Sequence, residues 1–548
     1  MHVMLTKATG KRSDSPLRAP DSPLNRLSGC VISSLFSLIA RQMQASTSSS
    51  DADSRDSDSS RHDESGFSAR VRSAVAWRWG AQVGAQIITW TSTFLVVRLL
   101  DPSDYGLFAM SQVVVTALAF LNGQSFATSI VQTDRIDERR VAQVFGMLLM
   151  ANGLLAAIQF LLAPMAASYF EEPIVADLLR VQAAIFLTIP FIALPSEWLA
   201  RKLEFRRQGQ VNMASALVGA MTALLLAWLG WGVWALIYAG LSIFVSRAIG
   251  LMLAAGLWVR PVFNPRGAWD LVTYGGTLTL CQLFWIIQSQ SDVVIAGRLL
   301  QTHDLGLYTQ ALFLALIVTG RFIPPINEVA LAAYSELHRA KKPLGPYFLK
   351  TARLVMMVSA PIYIGLSLTA DNAIRILMGD KWIELIPILA GLTLAMPAFA
   401  LHLICSPVTN AMGRPKVYLF TSIAGAVIFP ALFLWGASAG AMGLVHAWWI
   451  AAPLLCLVTL TVTLPRINVS AFALADALAP IALACAAMAA VVLGSQALLP
   501  LANPLLDLAK NAGLGAAVYG ATFWFFYRGI VRETWDLLRN RSPEPVAA

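Results

Sequence analysis

The chain has 548 residues, of which 57% are hydrophobic and 13% are charged, and its formal net charge is +9 at pH 7. This composition excludes an ordinary soluble domain and predicts a membrane protein. The Lys and Arg residues lie between apolar runs and form no basic face, which argues against nucleic-acid binding. No pair of cysteines has a CxxC spacing, so we expect neither a disulfide framework nor a metal site.

The N-terminal segment, residues 1–69, is rich in Ser, Asp, Arg and Pro. Such a segment cannot bury enough apolar surface to fold, and we predict a disordered cytoplasmic tail. Asp51-Ala52-Asp53 and Asp56-Ser57-Asp58 resemble a metal-nucleotide motif. They lie in a Ser/Asp run without a predicted strand or pocket, so we interpret them as a solvated charge run.

Fourteen apolar windows of about 20 residues follow the tail, which is the length that crosses a bilayer as a helix. They lie near residues 76–97, 107–130, 141–165, 174–195, 211–229, 233–257, 273–297, 307–326, 348–369, 383–409, 417–436, 442–463, 473–494 and 509–528. The sequence therefore predicts an all-α polytopic membrane protein of about fourteen transmembrane helices.

The loops between these windows have a charge bias. Most Lys and Arg residues lie in the two terminal segments and in the loops after even-numbered spans, whereas the opposite loops hold only Arg98, Arg298, Arg375 and Lys381. Cytoplasmic loops carry the excess of Lys and Arg, so we expect both termini to be cytoplasmic. All loops are short, which leaves no room for a soluble domain on either side.

One passage occurs twice, 200 residues apart. The segment from Arg98 to Phe108, RLLDPSDYGLF, returns from Arg298 to Tyr308 as RLLQTHDLGLY, with six of eleven positions identical. Each copy joins two apolar runs, so each is predicted to be a helix-loop-helix corner. Arg98 and Arg298 are interpreted as paired corner caps, with contact to the substrate as the alternative.

Six spans separate the two corners, so the repeated units have the same orientation and are related by an axis along the membrane normal. We predict two pseudo-symmetric six-helix lobes and two further helices outside the duplication. The boundaries are 1–69 for the tail, 70–257 for the N-lobe, 258–465 for the C-lobe, 466–530 for the extra helices and 531–548 for a second cytoplasmic tail.

The first and seventh spans carry matching polar faces. Gln82, Thr89 and Ser92 fall on Gln282, Ser289 and Asp292 at the 200-residue offset, and Arg78 and Gln86 extend the first face. Polar side chains inside a bilayer turn toward a partner helix or a water-filled cavity. Helix–helix hydrogen bonding remains open for any one residue. Matching faces at pseudo-symmetric positions favour a cavity lining.

Arg247 lies deep within the sixth span and is the first candidate for holding a buried anion, with pairing to an Asp or a carbonyl as the alternative. Arg78 and Arg321, near the cytoplasmic ends of spans one and eight, are either interfacial anchors or a cationic rim. A guanidinium binds phosphate through paired hydrogen bonds, so this rim would suit a pyrophosphate. His402 and Cys405 are interpreted as core residues.

Several segments together resemble one family. The sequence is similar to Wzx-type polysaccharide flippases of the multidrug/oligosaccharidyl-lipid/polysaccharide exporter superfamily over residues 70–540. The segments that carry the resemblance are Trp77-Arg78-Trp79-Gly80, the first corner, Arg201-Lys202-Leu203-Glu204-Phe205, Gly230-Trp231-Gly232-Val233-Trp234, Asp304-Leu305-Gly306-Leu307-Tyr308, Met378-Gly379-Asp380-Lys381-Trp382 and Gly413-Arg414-Pro415.

The resemblance implies two lobes around a central cavity lined by spans one, two, seven and eight, in the inner membrane of a bacterium. It implies transfer of an undecaprenyl-pyrophosphate-linked oligosaccharide between leaflets, with polysaccharide polymerase or export machinery as possible partners. No covalent chemistry, metal or cofactor is expected. Coupling to a proton or sodium gradient is a further expectation, with Asp292 as its candidate.

Three alternatives remain. A small-molecule exporter of the same superfamily would be expected to use acidic intramembrane residues, and the sequence offers little beyond Asp292. A polysaccharide polymerase or ligase would need a sizeable outer loop with catalytic charge, whereas the outer loops here are short. A non-transporting membrane scaffold is the third.

Overall fold

The computed structural model describes residues 80, 83–122, 138–202, 204–263, 276–526 and 528–529, and its regular secondary structure is helical throughout these ranges. The α-helices are α1 (Val83–Leu99), α2 (Pro102–Ala119), α3 (Glu138–Phe170), α4 (Ile174–Thr188), α5 (Pro190–Arg201), α6 (Phe205–Trp228), α7 (Val233–Ala255), α8 (Gly276–Leu299), α9 (Thr302–Arg339), α10 (Gly345–Leu368), α11 (Ala370–Leu377), α12 (Leu385–Leu403), α13 (Cys405–Ala411), α14 (Pro415–Ala437), α15 (Gly440–Thr463), α16 (Ala471–Leu498) and α17 (Pro504–Phe526). Short 3-10 helices cover Asp380–Trp382 and Leu464–Ile467.

The all-helical membrane fold predicted from composition is confirmed. Within the described ranges, ten helical segments are long and apolar enough to cross a membrane, and Val83–Leu99 is a shorter apolar helix. Each of the fourteen predicted windows overlaps a helix. The number that cross the membrane stays a prediction.

Prolines shape several spans. The fourth predicted span consists of α4 and α5, and Pro190 stands in the first turn of α5, where its missing N–H removes no helical hydrogen bond. The helix α9 instead continues through Pro324 and Pro325. At a rise of about 1.5 Å per residue, its 38 residues give a helix about 57 Å long. This is longer than the hydrocarbon core of a bilayer requires.

We call residues 83–263 the N half and residues 276–467 the C half. An aromatic cluster forms the centre of the C half, where Trp448 of α15 meets Phe399 of α12 and Phe429 of α14 at ring distances of 5.5 and 5.0 Å. These edge-to-face contacts hold three helices together through large buried side chains. The result is a core of large aromatic side chains that joins α12, α14 and α15.

The start of α17 is fixed to the C half by a polar network. The Asp507 carboxylate accepts hydrogen bonds from Asn372 of α11 at 2.7 Å and from Asn511 at 2.9 Å, and Lys510 lies 2.7 Å from it. Charged and amide groups satisfy one another here, so the burial of this carboxylate is compensated.

Candidate functional site

The two repeated corners contact each other. Gly106 of α2 lies against the backbone of Thr302, and Gly306 of α9 lies against the backbone of Pro102, so closely that a methyl group at either glycine would overlap a carbonyl. The glycines stand at equivalent positions of the repeat, and each allows the close approach of the other helix. We call the end of the bundle where these corners meet the corner end, and the opposite end, with Arg339, Arg414 and Arg466, the basic end.

Arg98 of the first corner binds the C half. Its Nε donates to the carbonyl of Leu377 at 3.2 Å, and its terminal nitrogen donates to the carbonyl of Ile376. These carbonyls lie at the C-terminal end of α11, where helix carbonyls lack intrahelical partners and attract a cation. Arg98 therefore caps a helix end of the C half, 279 residues away in the sequence, and not the end of its own helix.

The same corner receives the segment after α11. The Nε1 of Trp382, a fully buried residue, donates to the carbonyl of Val97 at 3.0 Å, and its ring meets Tyr105 edge-on at 5.5 Å. Lys381 pairs with Asp101 at 2.9 Å. We call this set, residues 97–105 with residues 376–382, the first clasp.

The second corner repeats the arrangement with the halves exchanged. Arg298 pairs with Glu171, which follows α3, and the hydroxyl of Tyr169 donates to the carbonyl of Val294 at 3.4 Å. We call these contacts the second clasp. By the repeat, α3 corresponds to α10, so each arginine reaches the segment after the equivalent helix of the other half. Both clasps join the two halves at the corner end.

Asp104 fixes the first corner within the N half. Its carboxylate accepts a hydrogen bond from the backbone N–H of Asp101 at 3.1 Å and lies against Gly232, whose φ is +54°. Partial burial raises the pKa of the Asp104 carboxyl, and the backbone N–H groups of Asp101 and Val233 oppose this rise. The carboxylate thus holds the start of α2 against the start of α7.

The predicted polar face of the first span is only partly described. Arg78 and Gln82 lie outside the described residues. Gln86 is half-buried and Thr89 exposed, while Ser92 is buried and donates to the carbonyl of Ala220 in α6 at 3.4 Å. Ser92 therefore faces its own half, whereas Gln86 and Thr89 lie on the more open part of the same helix.

In the seventh span, the side chain of Gln282 lies outside the described residues, and Ser289 is half-buried with its hydroxyl directed to the carbonyl of Ile286. Asp292 is buried and accepts a hydrogen bond from Tyr308 at 2.9 Å. The Nε1 of Trp448 donates to the same tyrosine oxygen at 2.8 Å. Asp292 thus belongs to a chain of hydrogen bonds inside the C half, and Tyr308 is the last residue of the second corner.

The two described arginine candidates differ in exposure. Arg247 of α7 is half-buried, and its Nε has no hydrogen-bond partner. Arg321 of α9 is exposed, one turn before Pro324. A half-buried guanidinium with an unsatisfied donor is suited to accept an anion. Contact with substrate stays a prediction for every residue of the predicted site.

A cavity of about 140 Å³ lies in the C half, on the basic-end side. It is formed by five predicted spans, and the polar or aromatic residues that define it include Trp285, Gln288, Asn327, His402, Thr459 and Thr463. Nδ1 of His402 lies 2.8 Å from the hydroxyl of Thr459. Cys405 is buried, as the core interpretation expects, and both Cys405 and His402 line the cavity.

Sequence reasoning missed Gln288 as a candidate. It stands four residues before Asp292, on the same face of α8, and a glutamine in an apolar span was the available signal. Asn327, two residues after Pro325, carried no repeat partner that would single it out. Among the described residues, no group of three His, Cys, Asp or Glu side chains could hold a metal ion.

Comparison with known proteins identifies the family of this chain. A polysaccharide biosynthesis protein family model matches residues 95–387, which is more than half of the chain and includes both corners and the first clasp. The chain therefore belongs to this family.

Two relatives are similar over most of the chain. The succinoglycan biosynthesis transport protein ExoT of Rhizobium meliloti (strain 1021) is 24% identical over 487 residues, covering 86% of this chain and 97% of ExoT. The lipopolysaccharide biosynthesis protein WzxC of Escherichia coli (strain K12) is 21% identical over 392 residues, covering 69% of this chain and 78% of WzxC.

Two solved structures have a similar fold. The lipid II flippase MurJ in an inward closed conformation superposes with a TM-score of 0.65 at 15% identity, over 83% of this chain and 99% of MurJ. A multidrug resistance MATE family transporter of the MOP superfamily, in an inward-facing conformation, gives a TM-score of 0.56 at 15% identity, over 70% of this chain and 94% of its own. The chain thus has the fold of these transport proteins.

Proposed function

We propose that this protein transfers an undecaprenyl-pyrophosphate-linked oligosaccharide from the inner to the outer leaflet of a bacterial inner membrane. Family membership carries the proposal, supported by the names of ExoT, a biosynthesis transport protein, and of WzxC, a biosynthesis protein. The shared fold with MurJ adds the architecture of a lipid flippase. Nothing covalent changes in the substrate, so the protein acts as a transporter and not as an enzyme.

In our proposal, fourteen helices form an N-lobe (70–257), a C-lobe (258–465) and two extra helices (466–530). Both termini are cytoplasmic, because the basic residues concentrate at the end opposite the corners. The corner end then faces the periplasm, and the clasps close the protein on that side. Alternating access requires both clasps to separate while the basic end closes.

The physical task is to carry a sugar-pyrophosphate head group past the hydrocarbon core, where a buried charge costs several kcal/mol or more. We propose that Arg247, with Arg78 and Arg321, binds the pyrophosphate. Gln82, Gln86, Thr89, Ser92, Gln282, Ser289 and Asp292 are proposed to provide the polar surface of the path. The prenyl chain stays in lipid.

Coupling to a proton or sodium gradient is part of the proposal, with Asp292 as the group that would respond. Its hydrogen bond to Tyr308 links it to the second corner. Polysaccharide polymerase or export machinery is the proposed partner on the receiving side. A MATE-like fold also suits a small-molecule exporter, so the experiment must separate the two substrates.

The test uses a deletion strain and purified protein in proteoliposomes. We expect lipid-linked oligosaccharide to accumulate in the inner leaflet of the deletion strain, and purified protein to flip a fluorescent undecaprenyl-pyrophosphate-linked saccharide. Arg247→Ala should lose at least about tenfold in rate because a charge-assisted phosphate contact is removed. Efflux of cationic drugs without lipid accumulation would instead identify a small-molecule exporter.

The control for Arg247→Ala is Arg180→Ala. Arg180 is an exposed residue of α4 that pairs with Asp177 at 2.9 Å, and an exposed pair of this kind contributes little to stability. Arg180→Ala should flip at the wild-type rate. A wild-type rate for Arg247→Ala, with normal membrane insertion, would exclude Arg247 from the substrate path.

A further inference from the structure

The helix α11 is a short element between two joints of the chain at the corner end. Its eight residues give a length of about 12 Å. The chain leaves the helical conformation before it, at Thr369 (φ −111°, ψ 14°), and after it, at Gly379, whose φ of +87° favours glycine. Residues at the ends of an element that depart from its geometry are where hinges lie, so α11 can shift as a unit between α10 and α12.

The apolar anchor of α11 in the C half is small. Of its eight residues, three are buried, namely Ala370, Ala373 and Ile374. Two of these are alanines, and the stabilisation from burial grows with the apolar area that is removed from water. The polar contacts at the two ends of α11 therefore have a large share in fixing its position.

The first turn of α11 is held by α17. The carboxamide of Asn372 donates to the carboxylate of Asp507 at 2.7 Å. Asp507 is buried, and it is bound from its own helix by Lys510 at 2.7 Å and by Asn511 at 2.9 Å. A carboxylate fixed by several charge-assisted bonds is a rigid acceptor, so the start of α11 follows the position of α17.

The helix α16 binds on the other side of the same joint. The Nε2 of Gln496 donates to the carbonyl of Leu368, the last residue of α10, at 2.8 Å. This carbonyl lies at a helix C-terminus, where it has no partner within its own helix. The two helices outside the duplication, α16 and α17, thus hold the chain both before and after Thr369.

The opposite end of α11 is held by the N half, through the bonds from Arg98 to the carbonyls of Ile376 and Leu377. Asn372 and Ile376 are about 6 Å apart along the helix axis. A carboxylate near the N-terminus of a helix and a cation at its C-terminus both interact favourably with the helix dipole. Asp507 and Arg98 therefore stabilise α11 from opposite ends, and they come from different parts of the chain.

On these grounds we propose that α11 transmits the position of α16 and α17 to the first clasp, with Asn372 and Asp507 as positioning residues for the carbonyls that Arg98 binds. The inference rests on the proposed function, in which the corner end opens in each cycle. Opening breaks the contact of Arg98, and the bond to Asp507 keeps the carbonyls in place for that contact to form again. The two helices outside the duplication thereby set the stability of the closed corner end.

The experiment measures the ratio of open to closed corner ends in the full-length protein. Spin labels at Trp231 in the N half and Gln301 in the C half, both exposed, report the distance across the corner end in nanodiscs, in protein without its native cysteines. We expect Asn372→Leu and Asp507→Asn each to raise the open-to-closed ratio about fivefold, as for the loss of one hydrogen bond. Asp507→Asn keeps the size of the side chain, so it tests the inference even if Asn372→Leu does not fold.

A double-mutant cycle separates positioning from general stabilisation. In the Arg98→Gln protein the carbonyls have no guanidinium to receive, so adding Asn372→Leu should change the ratio by less than about twofold. A residue that only stabilised the C half would have the same effect with and without Arg98. Equal factors in the two backgrounds overturn the inference, and so does an unchanged ratio for both Asn372→Leu and Asp507→Asn when Arg98 is present.

The matched control lies within the same pair of helices. The hydroxyl of Ser495 in α16 donates to Oδ1 of Asn511 in α17 at 3.3 Å, and this bond does not involve α11. Ser495→Ala should therefore keep the wild-type ratio. A rise equal to that of Asn372→Leu would mean that any loss of a bond in this region opens the corner end, and it would overturn the inference.

Flipping of a fluorescent undecaprenyl-pyrophosphate-linked saccharide, measured with the same variants in proteoliposomes, separates this inference from the proposed function. A wild type that does not flip the lipid, although Asn372→Leu shifts the distances only when Arg98 is present, overturns the proposed function and supports the role of α11. A wild type that flips the lipid while the cycle shows no coupling between Asn372 and Arg98 overturns the inference alone.

Discussion

The first and second clasps have the same plan but different surroundings. In the first, Arg98 binds two backbone carbonyls, and a fully buried tryptophan fills the space beside it. In the second, Arg298 pairs with Glu171, whose side chain is 71% exposed. Burial of a large aromatic side chain contributes several kcal/mol, whereas an exposed ion pair contributes about 0–1 kcal/mol. The first clasp should therefore hold most of the free energy that keeps the corner end closed.

The largest effect should come from the glycine contacts that hold the two corners against each other. Gly306→Val places a branched side chain against the backbone of Pro102, and backbone atoms cannot move aside as flexible side chains do. We expect the corner end to stay open and flipping to fall below about a tenth of the wild-type rate, a loss that corresponds to at least 1.4 kcal/mol. The measurement is the distance between spin labels at Trp231 and Gln301, in a variant without other cysteines.

The matched control for Gly306→Val is Gly320→Ala on the same helix, where no atom lies within 4 Å of the added methyl group. This variant should show the wild-type distance and rate. A closed distance in Gly306→Val would contradict the contact between the corners.

The second-largest effect on closure of the corner end should come from Trp382→Phe. Phenylalanine keeps a ring beside Tyr105 but loses the N–H that binds the Val97 carbonyl, which leaves a buried acceptor unsatisfied at a cost of about 1–3 kcal/mol. The open fraction in the spin-label distances should rise about tenfold or more. Trp449→Phe serves as control, because its Nε1 bonds within the C half to the carbonyl of Gly391. An equal shift in both variants would mean that the first clasp has no special role.

Arg98→Gln should have a smaller effect. It removes the charge that binds the two carbonyls at the end of α11. Because the arginine is exposed, water can bind the freed carbonyls and offsets part of the loss. We expect the free energy of closing the corner end to fall by about 1–2 kcal/mol. Arg98→Lys should restore less than half of this, since a lysine cannot bind both carbonyls with a planar fork. Full activity of Arg98→Gln at all temperatures would show that the tryptophan alone holds the first clasp.

The smallest effect should come from Arg298→Gln, which removes the exposed pair of the second clasp. We expect the free energy of closing the corner end to fall by less than about 1 kcal/mol. The difference from wild type should disappear in 1 M salt because exposed charges are screened. Comparing the open fraction of Arg98→Gln and Arg298→Gln at low and high salt measures the asymmetry directly. A larger effect for Arg298→Gln would reverse the order of the two clasps.

The sequence indicated the helical membrane fold and the location of the corners because apolar runs and a repeated motif are local properties. It also drew attention to Trp382, as part of a family-like segment, without assigning it a contact. The partner of Arg98 could not be predicted, since it lies 279 residues away and consists of backbone carbonyls. Carbonyls at a helix end carry no sequence signal of their own, so the sequence does not show which helix end Arg98 binds.

The candidate site shows the same division. Ser92 and Asp292 were found by their matching positions in the repeat, but their surroundings differ, because Ser92 meets a backbone carbonyl and Asp292 meets Tyr308. Gln288 and Asn327 were missed because the residues 200 positions earlier in the sequence are not polar, so the repeat does not single them out. A cavity depends on which helices face one another, and hydropathy does not contain that information.

The sequence by itself determined that this protein is a helical membrane protein with a duplicated corner. A segment that crosses lipid must be apolar, long enough to span the hydrocarbon core, and must satisfy its own backbone hydrogen bonds, which fixes its length and composition. Only the tertiary structure decided that the two corners meet through glycines, that each arginine crosses to the other half, and that neutral polar groups surround a cavity. These features arise from contacts between residues up to 285 positions apart. Their energies depend on burial and close approach, which exist only after the helices have packed.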